Sequence, residues 1–282
     1  MKFQIKNQFL EATFNTLGAE LISLKSAEKE YMWEGNPEFW SKHSPILFPI
    51  IGELKNGIYL FEGKEYRLPR HGFTREKEFE VVEQSDNSIV FSLKSDSETL
   101  KVYPFHFELQ IEYILVENKL EVHYKVENRS QEKMYFSIGG HPAFALPENF
   151  GNYSLLFETD NDLKFTALEN NLLLEKTQNL EVENNKLPLN YQLFEKDALI
   201  FKNHQIDSIT IQENGHNVLK VSFEKFPDLG IWTKMNAPFI CIEPWFGHAD
   251  GVRTTQNLEE KAGIQILKEH EVFNSLFTIE IF

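Results

Sequence analysis

The chain has 282 residues, 41% hydrophobic and 25% charged, with a formal net charge of −15. That length supports a deep core, and the balance is that of a soluble globular protein. The acidity argues against a surface that neutralises phosphates or adheres to an anionic membrane, so neither a nucleic-acid nor a membrane partner is expected.

The single cysteine, Cys241, rules out an internal disulfide framework and any cysteine-rich metal site. The start, "MKFQIKNQFL", has no long apolar run and no small-residue cleavage site, so no signal peptide is expected. No stretch approaches the ~20 apolar residues that span a bilayer. A cytoplasmic location is the default expectation.

Period-two patterns recur along the chain. "FLEATFNT" puts Leu10, Ala12 and Phe14 on one face. "NPEFWSK" offers Asn36 as a cap and Pro37 at a first helical position, which predicts one or two helical turns. "EFEVVEQ" and "SIVFSLKS" are joined by Ser85-Asp86-Asn87, a hairpin signal, and "SDSETLKVY" is a second short helix candidate. "FHFELQIEYILV" turns at Glu117-Asn118-Lys119 into "LEVHYKVEN". There Leu120, Val122, Tyr124 and Val126 alternate with polar residues. The connection is too short for a crossover helix, so the pair is antiparallel.

The stretch from about Asp160 to Asn190 is polar and rich in Asn and Glu, and reads as meandering loop with weak strands. Beyond it come "ALIFK", "SITIQ", "VLKVSF", "LGIWT", "PFICIEPW", the short helix candidate "QNLEEKAG", and "LFTIEIF". The 25 phenylalanines suit strands and sheet-packing cores. No Pro/Gly/Ser linker or repeat divides the chain. The expectation is one all-β domain over 1–282, a large antiparallel β-sandwich.

Three segments carry residues suited to chemistry. In "MYFSIGGHPAF", two glycines permit close backbone approach or positive φ, and Pro142 bars His141 from helical geometry. The imidazole is therefore held at a strand end, as a functional group or as a structural histidine bonded under a loop. In "RLPRHGFTREKEF", His71 is followed by Gly72 and lies among Arg67, Arg70 and Arg75, three of the five arginines in the chain. Guanidinium forks bind oxygen-rich ligands, although salt bridges to neighbouring glutamates would also gather them. In "PFICIEPWFG", alternation puts Phe239, Cys241 and Glu243 on one face and Ile240 and Ile242 on the other. A carboxylate closing an apolar strand against Trp245 would have a raised pKa and suit a general base, the alternative being a strand-end glutamate facing solvent or a lysine.

No HxH or HExxH pair, P-loop or GxGxxG is present, so neither a bound metal nor a nucleotide cofactor is expected. "GGH" lacks the serine of a nucleophile elbow, and Cys241, mid-strand, reads as buried and inert.

"ILFPIIGELKNG", "RHGFTR", "PFHFELQIEYILVENKLEVHYKVEN", "GGHPAF" and "PFICIEPWFG" follow one another as in the aldose 1-epimerases, the galactose-mutarotase-like family. The chain resembles the shorter bacterial branch of that family over nearly its whole length. The resemblance implies a large antiparallel β-sandwich and cofactor-free interconversion of the α and β anomers of a free sugar. It further implies His141 as general acid, His71 near the ring oxygen, Glu243 as general base and Asp197, in "EKDALIF", binding sugar hydroxyls. Mutarotases proper carry His-Gly-Gly where this chain has His71-Gly72-Phe73, and an Asn-Arg-Ile motif where it reads "GELKNG". Arg75 resembles the arginine of hexose-6-phosphate epimerase relatives and is the expected replacement, with Arg70 beside it. Trp245 and other aromatics would offer flat surfaces to sugar C–H faces.

Three readings follow. They are a mutarotase of free hexoses in carbohydrate metabolism, a hexose-6-phosphate 1-epimerase, and a non-catalytic carbohydrate-binding or sensing protein. The partner is expected to be a small-molecule sugar, and the sequence leaves a homodimer open.

Overall fold

The computed structural model describes every residue except Glu28 and Asp160. Two large antiparallel sheets dominate it. The first has nine strands, in the spatial order Lys186–Pro188, Tyr153–Glu158, Ser208–Glu213, His216–Ser222, Val272–Ile281, Lys119–Asn128, Phe107–Val116, Ser88–Lys94 and Glu80–Gln84. Its long central pair is in the register that alternation demands, with Leu109 opposite Val126, Ile111 opposite Tyr124 and Tyr113 opposite Val122. These six side chains are buried, and the intervening polar residues take the other face.

The second sheet runs Leu172–Asn179, Lys164–Glu169, Leu199–Lys202, Asp228–Trp232, Phe239–Phe246, Ile138–Gly140 and Ile46–Leu47, and Ala143–Ala145 also pairs with Phe239–Phe246. The sheets meet through contacts such as the rings of Phe157 and Phe201, and the loop residue Phe226 adds a contact to Phe277, so the core lies between them. Ile240 and Ile242 point into that core, while Phe239 and Cys241 point away into a separate cluster with Trp33 and Ala143. The predicted alternation along "PFICIEPW" therefore divides core from site. Four N-terminal strands, Lys2–Lys6, Glu11–Asn15, Leu21–Ser26 and Lys29–Glu30, form a further small sheet.

The polar stretch after Asp160, expected as loop with weak strands, holds more regular strand than that reading gave it. Lys164–Glu169 and Leu172–Asn179 form a hairpin at the edge of the second sheet, and Lys186–Pro188 edges the first. Asp160 itself lies outside the described residues. Beyond Leu173, which bridges to Gly251, the outermost strand pairs on one side only, and five consecutive residues from Glu175 to Asn179 are exposed, so no apolar alternation is required there. The hairpin turn is Asn170-Asn171, both at positive φ (51° and 65°), the geometry two-residue hairpins favour.

"NPEFWSK" makes a single turn: Asn36 Oδ1 accepts from the Glu38 amide at 3.0 Å, as a cap, and Asn36 O accepts from the Phe39 and Trp40 amides at 3.1 and 2.9 Å. The turn goes no further, and the indole N–H of Trp33 donates to Trp40 O at 2.8 Å, which ties that carbonyl to a side chain. The other two short candidates also form, as an α-turn at Thr99–Val102 and a 3₁₀ turn at Leu258–Glu260. Among the described residues no helix is long and apolar enough to cross a membrane.

Candidate active site

Strand Phe239–Phe246 pairs along one edge with two short strands in a single register. Gly139 lies opposite Trp245 and Ala143 opposite Cys241. His141-Pro142 occupies the break between those short strands, and the same register sets His141 opposite Glu243. Cross-strand neighbours share a face. Accordingly, His141 Nε2 lies 3.3 Å from Glu243 Oε2, with both side chains almost wholly buried. Glu243 is not the strand end that the sequence suggested: the strand continues through Pro244 to Phe246.

The glycines before His141 serve close approach, not positive φ. A Cβ on Gly139 would collide with the Trp245 indole, and one on Gly140 would meet the Tyr124 hydroxyl at 2.9 Å. The indole N–H of Trp245 then donates to Gly140 O at 3.2 Å.

His71 comes from a tight loop. Both His71 and Gly72 have positive φ (67° and 73°), and a Cβ on Gly72 would collide with the Phe48 carbonyl. Left-handed backbone is costly at histidine, and such strain persists where surrounding structure holds it. Gly52 supplies the hold, since its amide donates to His71 Nδ1 at 3.1 Å and its carbonyl accepts from the His71 amide at 2.9 Å. Arg70 Nε donates toward His71 Nε2 at 3.2 Å. Donors thus face both ring nitrogens, an arrangement that opposes a cationic ring. Burial first, then the charges of His141, Arg70 and Arg75, hold the pKa of His71 well below the usual histidine value.

Arg70 reaches across the opening. Its Nη1 donates to Asn171 Oδ1 at 3.1 Å, and its Nη2 lies 3.7 Å from Asp197 Oδ2. Asp197 is itself left-handed, at φ 79°, just before strand Leu199–Lys202. Arg75 Nη2 donates to Arg70 O at 2.9 Å, and its Nε is buried without a hydrogen-bond partner.

Burial raises the Glu243 pKa well above the carboxylate range, opposed by Arg70 and reinforced by Asp197. It also lowers His141 to about 3, with Arg70 and Arg75 adding to the effect. Desolvation therefore favours the neutral form of both partners. With one proton the pair is either carboxylic acid with neutral imidazole or carboxylate with imidazolium, and burial favours the first. The 3.3 Å contact is not aligned as a hydrogen bond, and Glu243 Oε2 and His141 Nδ1 have no hydrogen-bond partner.

All seven residues singled out from the sequence, His141, Glu243, His71, Arg75, Asp197, Arg70 and Trp245, line one cavity of about 350 Å³. Sequence reasoning missed Trp40, Trp232, Asn171 and Gly52 in its wall. The double asparagine was a turn signal for Asn171, but nothing local marked the other three. A wider groove of about 1000 Å³ on the nine-stranded sheet contains none of the seven.

A family model described as aldose 1-epimerase matches residues 1–266. The chain belongs to the aldose 1-epimerase family. The plasmid-encoded LacX protein of Lactococcus lactis subsp. lactis is 35% identical over 93% of each chain. A galactose mutarotase related enzyme from Lactobacillus acidophilus superposes with a TM-score of 0.96 at 35% identity, covering 100% of this chain and 97% of that one. A galactose mutarotase-like protein from Lactobacillus casei gives 0.95 at 31% identity, with both chains fully covered. The all-β architecture is thus the family's, and membership sets the chain among sugar epimerases, an isomerase class.

Proposed function

We propose that the protein is a mutarotase acting on the anomers of a free hexose. The observation that carries this reading is the buried cross-strand pair of His141 and Glu243, 3.3 Å apart at the wall of a cavity that also holds His71, Arg70 and Asp197. A pyranose opens when its anomeric hydroxyl loses a proton and its ring oxygen gains one. Those oxygens share one carbon, so the acid and the base must be neighbours.

Starting from carboxylate and imidazolium, Glu243 takes the hydroxyl proton and His141 gives its own to the ring oxygen. The enzyme ends as carboxylic acid and neutral imidazole. This is the form that burial favours, so the reactive carboxylate–imidazolium form is reached by proton transfer within the pair and is regained on reclosure. The aldehyde carbon rotates about its bond to the next carbon, and reclosure reverses both transfers on the other face. No electron and no group leaves, so the reaction needs no cofactor. Neutral His71, its Nδ1 accepting from Gly52, carries the ring proton on Nε2 and is suited to donate it to a sugar oxygen that takes the place of the Arg70 contact. Asp197 and Arg70 are suited to orient hydroxyls, and Trp245 and Trp40 to face the sugar's C–H surfaces.

Polarimetry on freshly dissolved α-D-glucose and α-D-galactose tests this reading directly. Acceleration over the spontaneous rate is expected, and Glu243→Gln should lower kcat by at least about 100-fold. Binding without acceleration across a panel of aldoses would instead indicate a sugar-binding protein.

A hexose 6-phosphate is the second reading, favoured by the two guanidinium groups of Arg70 and Arg75 in the cavity wall, Arg75 Nε having only a 3.9 Å contact with Glu76 and no hydrogen bond. It requires glucose 6-phosphate to displace glucose with a large affinity advantage that Arg75→Ala abolishes.

A further inference from the structure

Three potential metal ligands meet at the cavity: His141 and Glu243 line it, and Cys241 is buried beside them in the cluster with Trp33 and Ala143. Cys241 and Glu243 are two apart on strand Phe239–Phe246 and share the face that the core does not use. His141 stands opposite Glu243 in the adjoining register. One ligand atom from each, imidazole nitrogen, thiol sulfur and carboxylate oxygen, falls within 4.8 Å of the other two, and all three residues are buried. Glu243 Oε2 has no hydrogen-bond partner although the side chain is only 2% exposed. In a tetrahedral zinc site, bonds of about 2.0–2.2 Å to nitrogen and oxygen put those ligands roughly 3.4 Å apart. His141 Nε2 and Glu243 Oε2 are 3.3 Å apart.

We propose that His141, Cys241 and Glu243 form a binding site for a borderline-soft divalent cation such as Zn²⁺, whose occupancy shuts the sugar out. The ligand set, N, S and O, is a zinc type, and a fourth position would open on the cavity. Thiolate and carboxylate together neutralise the ion, and the thiol and carboxyl protons leave to solvent as it binds. Mg²⁺, which demands octahedral oxygen ligation and gives up water reluctantly, has no comparable site there. The histidine and carboxylate are those assigned to proton transfer, so the bound ion would occupy both proton carriers at once. Cys241, inert in the epimerase reading, becomes the residue that makes the cavity zinc-sensitive. The inhibition rests on the mutarotase reading, whereas the binding does not.

The two are separated by using Co²⁺ as a spectroscopic probe on the full chain. Cys241 is the only cysteine, so a cobalt–thiolate charge-transfer band has a single source. Titration should develop that band to one equivalent. Zn²⁺ should bleach it, Mg²⁺ should not, and Cys241→Ser and Cys241→Ala should both lack it. Absence of the band in wild-type protein at excess Co²⁺ overturns the proposal, whatever the enzyme assay gives.

In polarimetry Zn²⁺ should inhibit competitively with sugar and reversibly on chelation. Cys241→Ser should keep the metal-free rate. Losing even an outer-sphere partner weakens metal sites about 10–100-fold, so losing the sulfur should raise the half-inhibiting zinc concentration at least as much. Zinc inhibition unchanged in both cysteine variants overturns the proposal as well.

Discussion

Trp40 lies face-on against His141, with ring centroids 4.7 Å apart and planes 28° from parallel. Trp232 meets the same imidazole edge-on at 5.7 Å. Two indoles therefore exclude water from the ring assigned as acid. A cation under an indole gains about 0.5–2 kcal/mol, but the loss of hydration outweighs that gain, since burial brings His141 down to about 3. Trp40→Leu should admit water and move the His141 titration from about 3 towards its ordinary 6.5, as read from the imidazole proton resonances. A midpoint that stays put would deny Trp40 a shielding role.

Glu243 couples activity to stability. Its native pKa is raised, whereas the unfolded chain ionises it at the ordinary carboxylate value of 4.5. Above that value the native state holds a proton that the unfolded state has released. Unfolding stability then falls by up to about 1.4 kcal/mol per pH unit as pH rises towards the native pKa. Glu243→Gln removes this slope. It should be nearly inactive yet more stable than wild type at pH 7, with the stability difference shrinking as pH approaches 4.5. Thermal melts across that range check it, and equal melting at pH 7 would count against the buried protonated carboxyl.

A pH–rate profile should report the pair as a unit. The acid limb marks entry of a second proton on His141 at about 3. The basic limb marks loss of the shared proton at the raised Glu243 value. Activity should accordingly run flat between the His141 limb at about 3 and a basic limb lying above the ordinary carboxylate range. Arg70 lowers both titrations through its charge, so Arg70→Ala should shift both limbs upward along with any rise in KM. A rise in KM with both limbs unmoved would make Arg70 a binding group only.

The sequence was most readable where one residue's neighbours settle its role. Alternation in "LEVHYKVEN" and "PFICIEPW" predicts which side chains face the core, and the two registers bear this out. His71, His141 and Glu243 each stood beside a glycine or proline that restricts the backbone, and all three reach one cavity. What could not be read was set by partners distant in the chain. The edge hairpin after Asp160 buries only a few side chains, such as Ala167 and Leu173, and its outer run from Glu175 to Asn179 is exposed, so its polarity resembled loop. Trp40 looked like part of a helix because its tie to Trp33 and its stack on His141 leave no local trace. Gly52 gave no sign that it would be the donor fixing His71, since that bond depends on how two loops meet.

Gly52 is itself held from behind. Ala249 packs directly on Gly52, and the next residue, Asp250, donates its amide to Glu53 O at 2.9 Å. The Asp250 carboxylate accepts from the Lys55 amide at 3.0 Å and from Lys261 Nζ at 2.8 Å. Lys261 also donates to His248 O at 2.7 Å, and its side chain and that of Asp250 are each 3% exposed. Burial lowers the Lys261 pKa, with Asp250 opposing the shift. This buried pair secures the segment that carries Gly52, and so bears on His71. Breaking one side of such a pair typically costs about 3–5 kcal/mol, because the remaining charge is stranded, whereas removing both charges costs less. Lys261→Met should therefore lose more stability in urea than Lys261→Met combined with Asp250→Asn, and the double variant should recover part of the lost kcat. If the double variant is as unstable as the single one, the wall is held by packing and the ion pair is incidental to His71.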